Sequence, residues 1–185
     1  IFFAEKYRLS DKPIERSAHK VRIPVFGGIA IFSGVIFSLL FWAKLDSIQF
    51  ILVSLFVVFF VGVIDDLLSL TPFKKLIGQI IAILIVIYFG DMRIDSMHGV
   101  LGVRELPHFA STLFTIFVVV VIINSFNLID GVDGLASGVG CISSLSFGLL
   151  ALLMKQYDIA IIAFSLLGSL LGFLKYNFYP ARIFM

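Results

Sequence analysis

Apolar residues run along this chain in long blocks separated by short polar stretches. Six blocks stand out, at 24–43, 48–64, 76–90, 110–126, 135–154 and 158–174. None alternates polar and apolar residues with a period of two, as a barrel wall would. A helix of about 20 residues crosses a hydrocarbon layer of roughly 30 Å, and only a helix satisfies its own backbone there. The pattern predicts an all-α, polytopic transmembrane helix bundle with about six membrane helices, in one integral-membrane domain over 1–185. The opening "IFFA" reads as the tail of an earlier helix, and the stop after "ARIFM", at Met185, is abrupt. The sequence therefore reads as a piece truncated at both ends.

Composition agrees with the blocks: 60% of residues are hydrophobic, 14% are charged, and mean hydropathy is +1.10. A soluble domain is nearer 45–50% apolar and about 25% charged. A single cysteine excludes an internal disulfide, and a net charge of +2 gives no reason to expect nucleic acid. No signal-peptide pattern precedes the first block.

Charge orients the helices. Lys6, Arg8, Lys12, Arg16, Lys20, Arg22, Lys74, Lys75, Lys175 and Arg182 fall on one side; Lys44, Arg93, Arg104 and Lys155 fall on the other. The richer side is expected in the cytoplasm. That leaves 91–109, with its glycines and Pro107, as an extracytoplasmic loop suited to a hairpin or a short amphipathic piece. The pairs Gly134/Gly138 and Gly168/Gly172 predict close helix packing on the last two helices. Trp42 and Tyr157 are expected as interfacial anchors.

Polar residues then gather where the apolar blocks meet the cytoplasmic side. Asp65 and Asp66 end the second block, and adjacent carboxylates there call for a cation or a proton. Lys74 and Lys75 follow, before the third helix. At the end of the fourth block, "NSFNLIDGVDGLASG" carries Asn124, Asn127, Asp130 and Asp133 at a spacing of three. Gly131 and Gly134 let the backbone leave one helix and begin another. Amide and carboxylate oxygens suit a hard cation such as Mg²⁺. The stretch 5–28 adds bases, among them Arg16, and His19; a basic segment lying on anionic lipid is the plainer reading of it. Acids, amides and bases on one membrane face suit polyphosphate chemistry between a soluble donor and an acceptor held in the bilayer.

Four stretches in order, "DKPIERSAHKVRIPVFGG", "GVIDDLLSLTPFKKLIGQ", "NSFNLIDGVDGLASG" and "LGFLKYNFYPARIFM", resemble the signatures of the polyprenyl-phosphate N-acetylhexosamine-1-phosphate transferases. The form "HKVRIPVFGG" is more like the branch that transfers GlcNAc-1-phosphate than the phospho-MurNAc-pentapeptide branch. The resemblance implies transfer of a sugar-1-phosphate from a UDP-N-acetylhexosamine to polyprenyl (undecaprenyl) phosphate, with release of UMP. It implies Mg²⁺, with Mn²⁺ as a substitute, and a homodimer is compatible with it. The place implied is the inner (plasma) membrane of a bacterium, with the site facing the cytoplasm.

By the same resemblance, Asp65 and Asp66 are the catalytic acids, the first deprotonating or positioning the lipid phosphate. Lys75 contacts the pyrophosphate, Asn127 lies near the metal, and Asp133 reads the nucleotide base. Asn124, Asp130, Arg16 and His19 complete the substrate-binding set. The family continues past "ARIFM" into Gly-Asp-x-Gly, whose Asp is a main metal ligand. That ligand is expected beyond Met185, so residues 1–185 alone are expected to be inactive. The rival from another class is an ion-coupled membrane transporter. Such proteins keep their carboxylates near the bilayer midplane in repeated halves, and no repeat is evident here. A non-catalytic membrane scaffold would have no need of these acids and amides together.

Overall fold

A computed structural model of the chain describes residues 27–184. Among them are six α-helices: α1 (Gly27–Trp42), α2 (Leu45–Leu68), α3 (Pro72–Tyr88), α4 (His108–Ile129), α5 (Leu135–Leu153) and α6 (Tyr157–Asn177). The one strand-like pairing among the described residues is an isolated antiparallel bridge between Ser96 and Glu105. Four segments are long and apolar enough to cross a membrane: Ile48–Leu68, His108–Ile129, Leu135–Leu153 and Tyr157–Asn177. Helix α1 has 16 residues and α3 has 17. The chain is an all-helical, multi-pass membrane protein, as the block pattern predicts.

The helices group into two compact units. One holds α1 and the residues from Phe126 onward; the other is Ile48–Ser125.

In the first unit, α6 packs against both α5 and α1. Small residues set these approaches. A Cβ on Gly34 would lie 2.6 Å from Ser169 Oγ, one on Gly140 2.9 Å from Leu170 Cδ1, and one on Gly148 2.9 Å from Phe164 Cε1. Beside the first contact, the hydroxyls of Ser38 and Ser165 hydrogen-bond at 2.8 Å. In lipid, where apolar surface gains little by meeting apolar surface, such contacts are what hold helices together, at about 0.6–2 kcal/mol per polar pair. The expected glycine pairs are not the ones used. A Cβ on Gly138, Gly168 or Gly172 would meet nothing within 4 Å among the described residues. Four-residue spacing marks a face of a helix, but not which face meets a neighbour.

In the second unit, α2 and α3 approach where a Cβ on Gly78 would fall 2.5 Å from Val61 Cγ2. Pro72 opens α3 at a position where a missing N–H is harmless, so α3 begins earlier than the apolar block and takes in Lys74 and Lys75. The loop between α3 and α4 is a hairpin. Met97 N donates to Arg104 O at 2.8 Å, Leu106 N to Asp95 O at 2.9 Å, and Gly99 N to Val103 O at 2.9 Å. Gly99 and Gly102 have φ of 90° and 77°, the left-handed region its tight end requires.

Candidate active site

The corner between α2 and α3 is closed by one carboxylate. Asp65 accepts the Leu70 N–H on Oδ1 at 3.0 Å and the Lys75 ammonium on Oδ2 at 2.8 Å. The Asp65 carbonyl accepts the Ser69 N–H at 2.8 Å, and Ser69 has a φ of 47°. The two side chains are about one-fifth exposed. Such a partly wet pair has a Coulomb attraction of about 6 kcal/mol at an effective dielectric of 20, most of it offset by lost hydration. Its use is geometric: Asp65 fixes where the ammonium of Lys75 sits. Asp66 is exposed beside it.

One turn further along α3, Gln79 is buried at 2% exposure. Its Oε1 accepts Asn124 Nδ2 of α4 at 3.0 Å, and the same nitrogen donates to Val120 O at 2.8 Å. Reading the sequence alone misses Gln79. The available signal is a lone amide in an apolar run, four residues after Lys75, on the same helix face.

In the first unit, Asn127 lies in the last turn of α4, and Asp130 and Asp133 follow in the turn before α5. Gly134 starts α5 with a φ of 69°, so the expected glycine corner is real there. Asp133 Oδ2 accepts the Ala181 N–H at 3.0 Å. Nearby, the fully buried Ser137 donates its hydroxyl to Asn177 Oδ1 at 2.6 Å, and Asn177 Nδ2 donates to Ile183 O at 2.9 Å. Gly27 N donates to Phe184 O at 2.9 Å. The first turns of α1 and α5, the end of α6 and the stretch 181–184 are thus tied together around Asn177. Sequence reasoning misses Ser137 and Asn177 too; an Asn at the end of an apolar helix is the available signal.

The expected site residues therefore form two described groups. Asp65, Asp66, Lys75 and Asn124 lie in one unit, and Asn127, Asp130 and Asp133 in the other. Arg16, His19 and Met185 lie outside the described residues, and so does the main metal ligand expected beyond Met185. For Mg²⁺ the donor type fits: amide and carboxylate oxygens suit a hard cation. Among the described residues, however, no three His, Cys, Asp or Glu side chains gather to hold an ion.

A second polar cluster sits at the other end of α3. Arg93 Nε donates to Asp95 Oδ1 at 2.7 Å, and its Nη1 lies 3.3 Å from both Asp91 Oδ1 and His108 Nε2. Ser111 Oγ donates to Asp95 Oδ1 at 2.9 Å. That hydrogen bond first, and Arg93 second, hold the Asp95 carboxyl below its ordinary value. The Ile94 N–H is taken by Thr115 Oγ1 at 2.9 Å, which pins the hairpin to α4. Under it lies an apolar cavity of about 290 Å³, lined by Val58, Ile83, Val86, Ile94 and Val119 among others. Its lining includes none of the acids or amides above.

Residues 48–185 match the family described as glycosyl transferase family 4. The undecaprenyl-phosphate alpha-N-acetylglucosaminyl 1-phosphate transferase of Pasteurella multocida is 38% identical over 176 residues, covering 94% of this chain and 49% of that protein. The decaprenyl-phosphate N-acetylglucosaminephosphotransferase of Mycobacterium leprae is 32% identical over 194 residues, covering 94% and 48%. The phospho-N-acetylmuramoyl-pentapeptide-transferase of Borrelia turicatae is 34% identical over 212 residues, covering 95% and 59%. The chain spans about half the length of the curated relatives it matches.

Proposed function

The chain belongs to glycosyl transferase family 4, and from that membership we propose that its parent protein transfers GlcNAc-1-phosphate from UDP-GlcNAc to polyprenyl phosphate, releasing UMP. An oxygen of the lipid phosphate attacks the sugar-linked phosphorus. A new P–O bond forms while the bond to the bridging oxygen breaks, and UMP leaves with that electron pair. Negative charge gathers on the bridging oxygen, so a fixed cation beside it lowers the barrier.

The observation that carries this reading is the Lys75 ammonium, held 2.8 Å from Asp65 at the end of a membrane helix. Lys75 supplies the cation, and Asp65 positions it. With both oxygens of Asp65 engaged by Leu70 and Lys75, the role expected of Asp65 passes to Asp66, exposed next to them, which takes or orients a proton of the lipid phosphate. Asn127, Asp130 and Asp133 supply amide and carboxylate groups to the UDP-sugar. Mg²⁺, when bound, would neutralise charge on the pyrophosphate, and Asn127 would offer it an amide oxygen. The Lys/Arg distribution supports a site on the cytoplasmic face of a bacterial inner membrane, where a soluble nucleotide sugar arrives.

The sugar is the finer question. Two relatives that act on GlcNAc-phosphate and one named for the muramoyl-pentapeptide are of similar likeness, with the GlcNAc-1-phosphate transferase of Pasteurella multocida ahead at 38% identity against 34% for the pentapeptide transferase. The test is UMP release by the full-length protein in membranes, with undecaprenyl phosphate and either UDP-GlcNAc or UDP-MurNAc-pentapeptide. Turnover of UDP-GlcNAc is expected. Turnover of the pentapeptide substrate alone would move the chain to the other branch, and turnover of neither would overturn the reading.

A further inference from the structure

Burying a side-chain amide in an apolar helix is costly unless its hydrogen bonds are made. Gln79 meets that cost through Asn124, and the bond has a directional consequence. The Nδ2 of Asn124 donates to two carbonyl oxygens, Gln79 Oε1 at 3.0 Å and Val120 O at 2.8 Å. Two acceptors on one end of an amide settle which end is nitrogen. With both amide hydrogens engaged, what the exposed Asn124 offers outward is its carbonyl oxygen. Without Gln79 one of these two bonds is lost, and Val120 O alone is left to hold the amide against turning.

Gln79 also lies one helical turn from Lys75, whose ammonium is fixed by Asp65. One face of α3 therefore holds a cation at a set place and, about 6 Å further along the axis, holds the amide of the next helix in a set orientation. A phosphate-bearing substrate with O–H groups needs both: a cation for its charge and an acceptor for a hydroxyl.

We propose that Gln79 is a positioning residue of the transferase reaction, acting through Asn124 by keeping the Asn124 carbonyl oxygen turned toward an O–H donor of the UDP-sugar. This rests on the transferase reading above. The plainer alternative is that the pair only ties α3 to α4, in which case its loss would lower stability and leave substrate handling alone.

The test uses the full-length protein, with UMP release at varied UDP-GlcNAc and thermal midpoint both measured. Gln79→Leu is expected to lower kcat/KM by about tenfold, the scale of one well-placed hydrogen bond, mainly through KM, beyond any drop in the midpoint from the lost helix contact. Gln79→Glu keeps an acceptor for Asn124 and should return kcat/KM close to wild type. The double variant Gln79→Leu/Asn124→Ala should be no worse than Asn124→Ala alone, because one residue acts through the other. If Gln79→Leu fails to accumulate, Gln79→Asn, one methylene too short to reach, carries the same expectation. Wild-type kcat/KM in the Gln79 variants, a lowered midpoint with unchanged KM, or losses that multiply in the double variant overturns the inference alone. No UMP release by the wild type overturns the transferase reading and this inference together.

Discussion

Lys75 reaches across the α2–α3 corner to Asp65, Nζ to Oδ2 at 2.8 Å, while the other oxygen of the same carboxylate holds the Leu70 N–H at 3.0 Å. The ion pair sets where the two side chains meet. Asp65→Asn and Lys75→Met are each expected to cut kcat/KM for UMP release by about 10–100-fold, and the double variant should lose less than the product of the two. Independent, multiplying losses would show that the two residues act separately.

The amide of Gly27 touches the far end of the described chain. A Cβ there would fall 2.5 Å from Phe184 O, a backbone atom that cannot swing aside. Gly27→Ala should destabilise the protein by about 1–3 kcal/mol. Gly168→Ala, where a Cβ meets nothing within 4 Å among the described residues, should be neutral or slightly stabilising. Denaturation midpoints of both variants in detergent make the comparison.

Ser137 gives Asn177 its shortest hydrogen bond, 2.6 Å, at a site with no exposure to speak of on either residue. Ser137→Ala leaves a buried carbonyl oxygen without that donor, at about 1–3 kcal/mol. Because Asn177 also holds Ile183 O, limited proteolysis near residues 181–184 should quicken in this variant.

Asp95 makes the hairpin sensitive to acid. Its carboxyl is held below the ordinary 3.8 by the Ser111 hydroxyl and then by Arg93. A depressed carboxylate contributes its stabilisation above the unfolded-state value and loses it as pH falls through the folded-state one. The hairpin should therefore stay protected at neutral pH and open to pepsin only below about pH 3.8, the ordinary value it is held beneath. Ser111→Ala should move that opening to higher pH. An opening that ignores both Ser111→Ala and Asp95→Asn would show that the carboxylate does not hold the loop.

Much of this was legible in the order of residues. Long apolar blocks have few structural solutions in lipid, so the helices fall close to their expected limits, and Gly134 turns the chain where "DGVDGL" said it would. Helix starts were less legible: Pro72 begins α3 before its apolar block, which puts Lys74 and Lys75 inside the helix. Long-range pairings were not legible at all. Nothing local says that Gln79 meets Asn124, that Ser137 meets Asn177, or that Gly34 rather than Gly168 carries a helix contact. Those depend on how helices rotate about their axes, which an almost uniformly apolar surface does not encode.

Helix α3 has one more consequence, and it concerns the lipid. Its first turn carries Lys74 and Lys75, so its largely apolar length runs from Leu76 to Tyr88, with Gln79 inside it. At 1.5 Å per residue that is about 20 Å, some 10 Å short of a typical hydrocarbon layer. Thinning of the bilayer around the short helix is one of the adjustments such a mismatch calls for, alongside snorkelling of the flanking lysines. Thinning would set the ammonium groups in a dimple of the membrane surface. A phosphate headgroup drawn into that dimple meets them while its tail remains in oil, so the shape of the lipid boundary itself would bring the two phases of the reaction together.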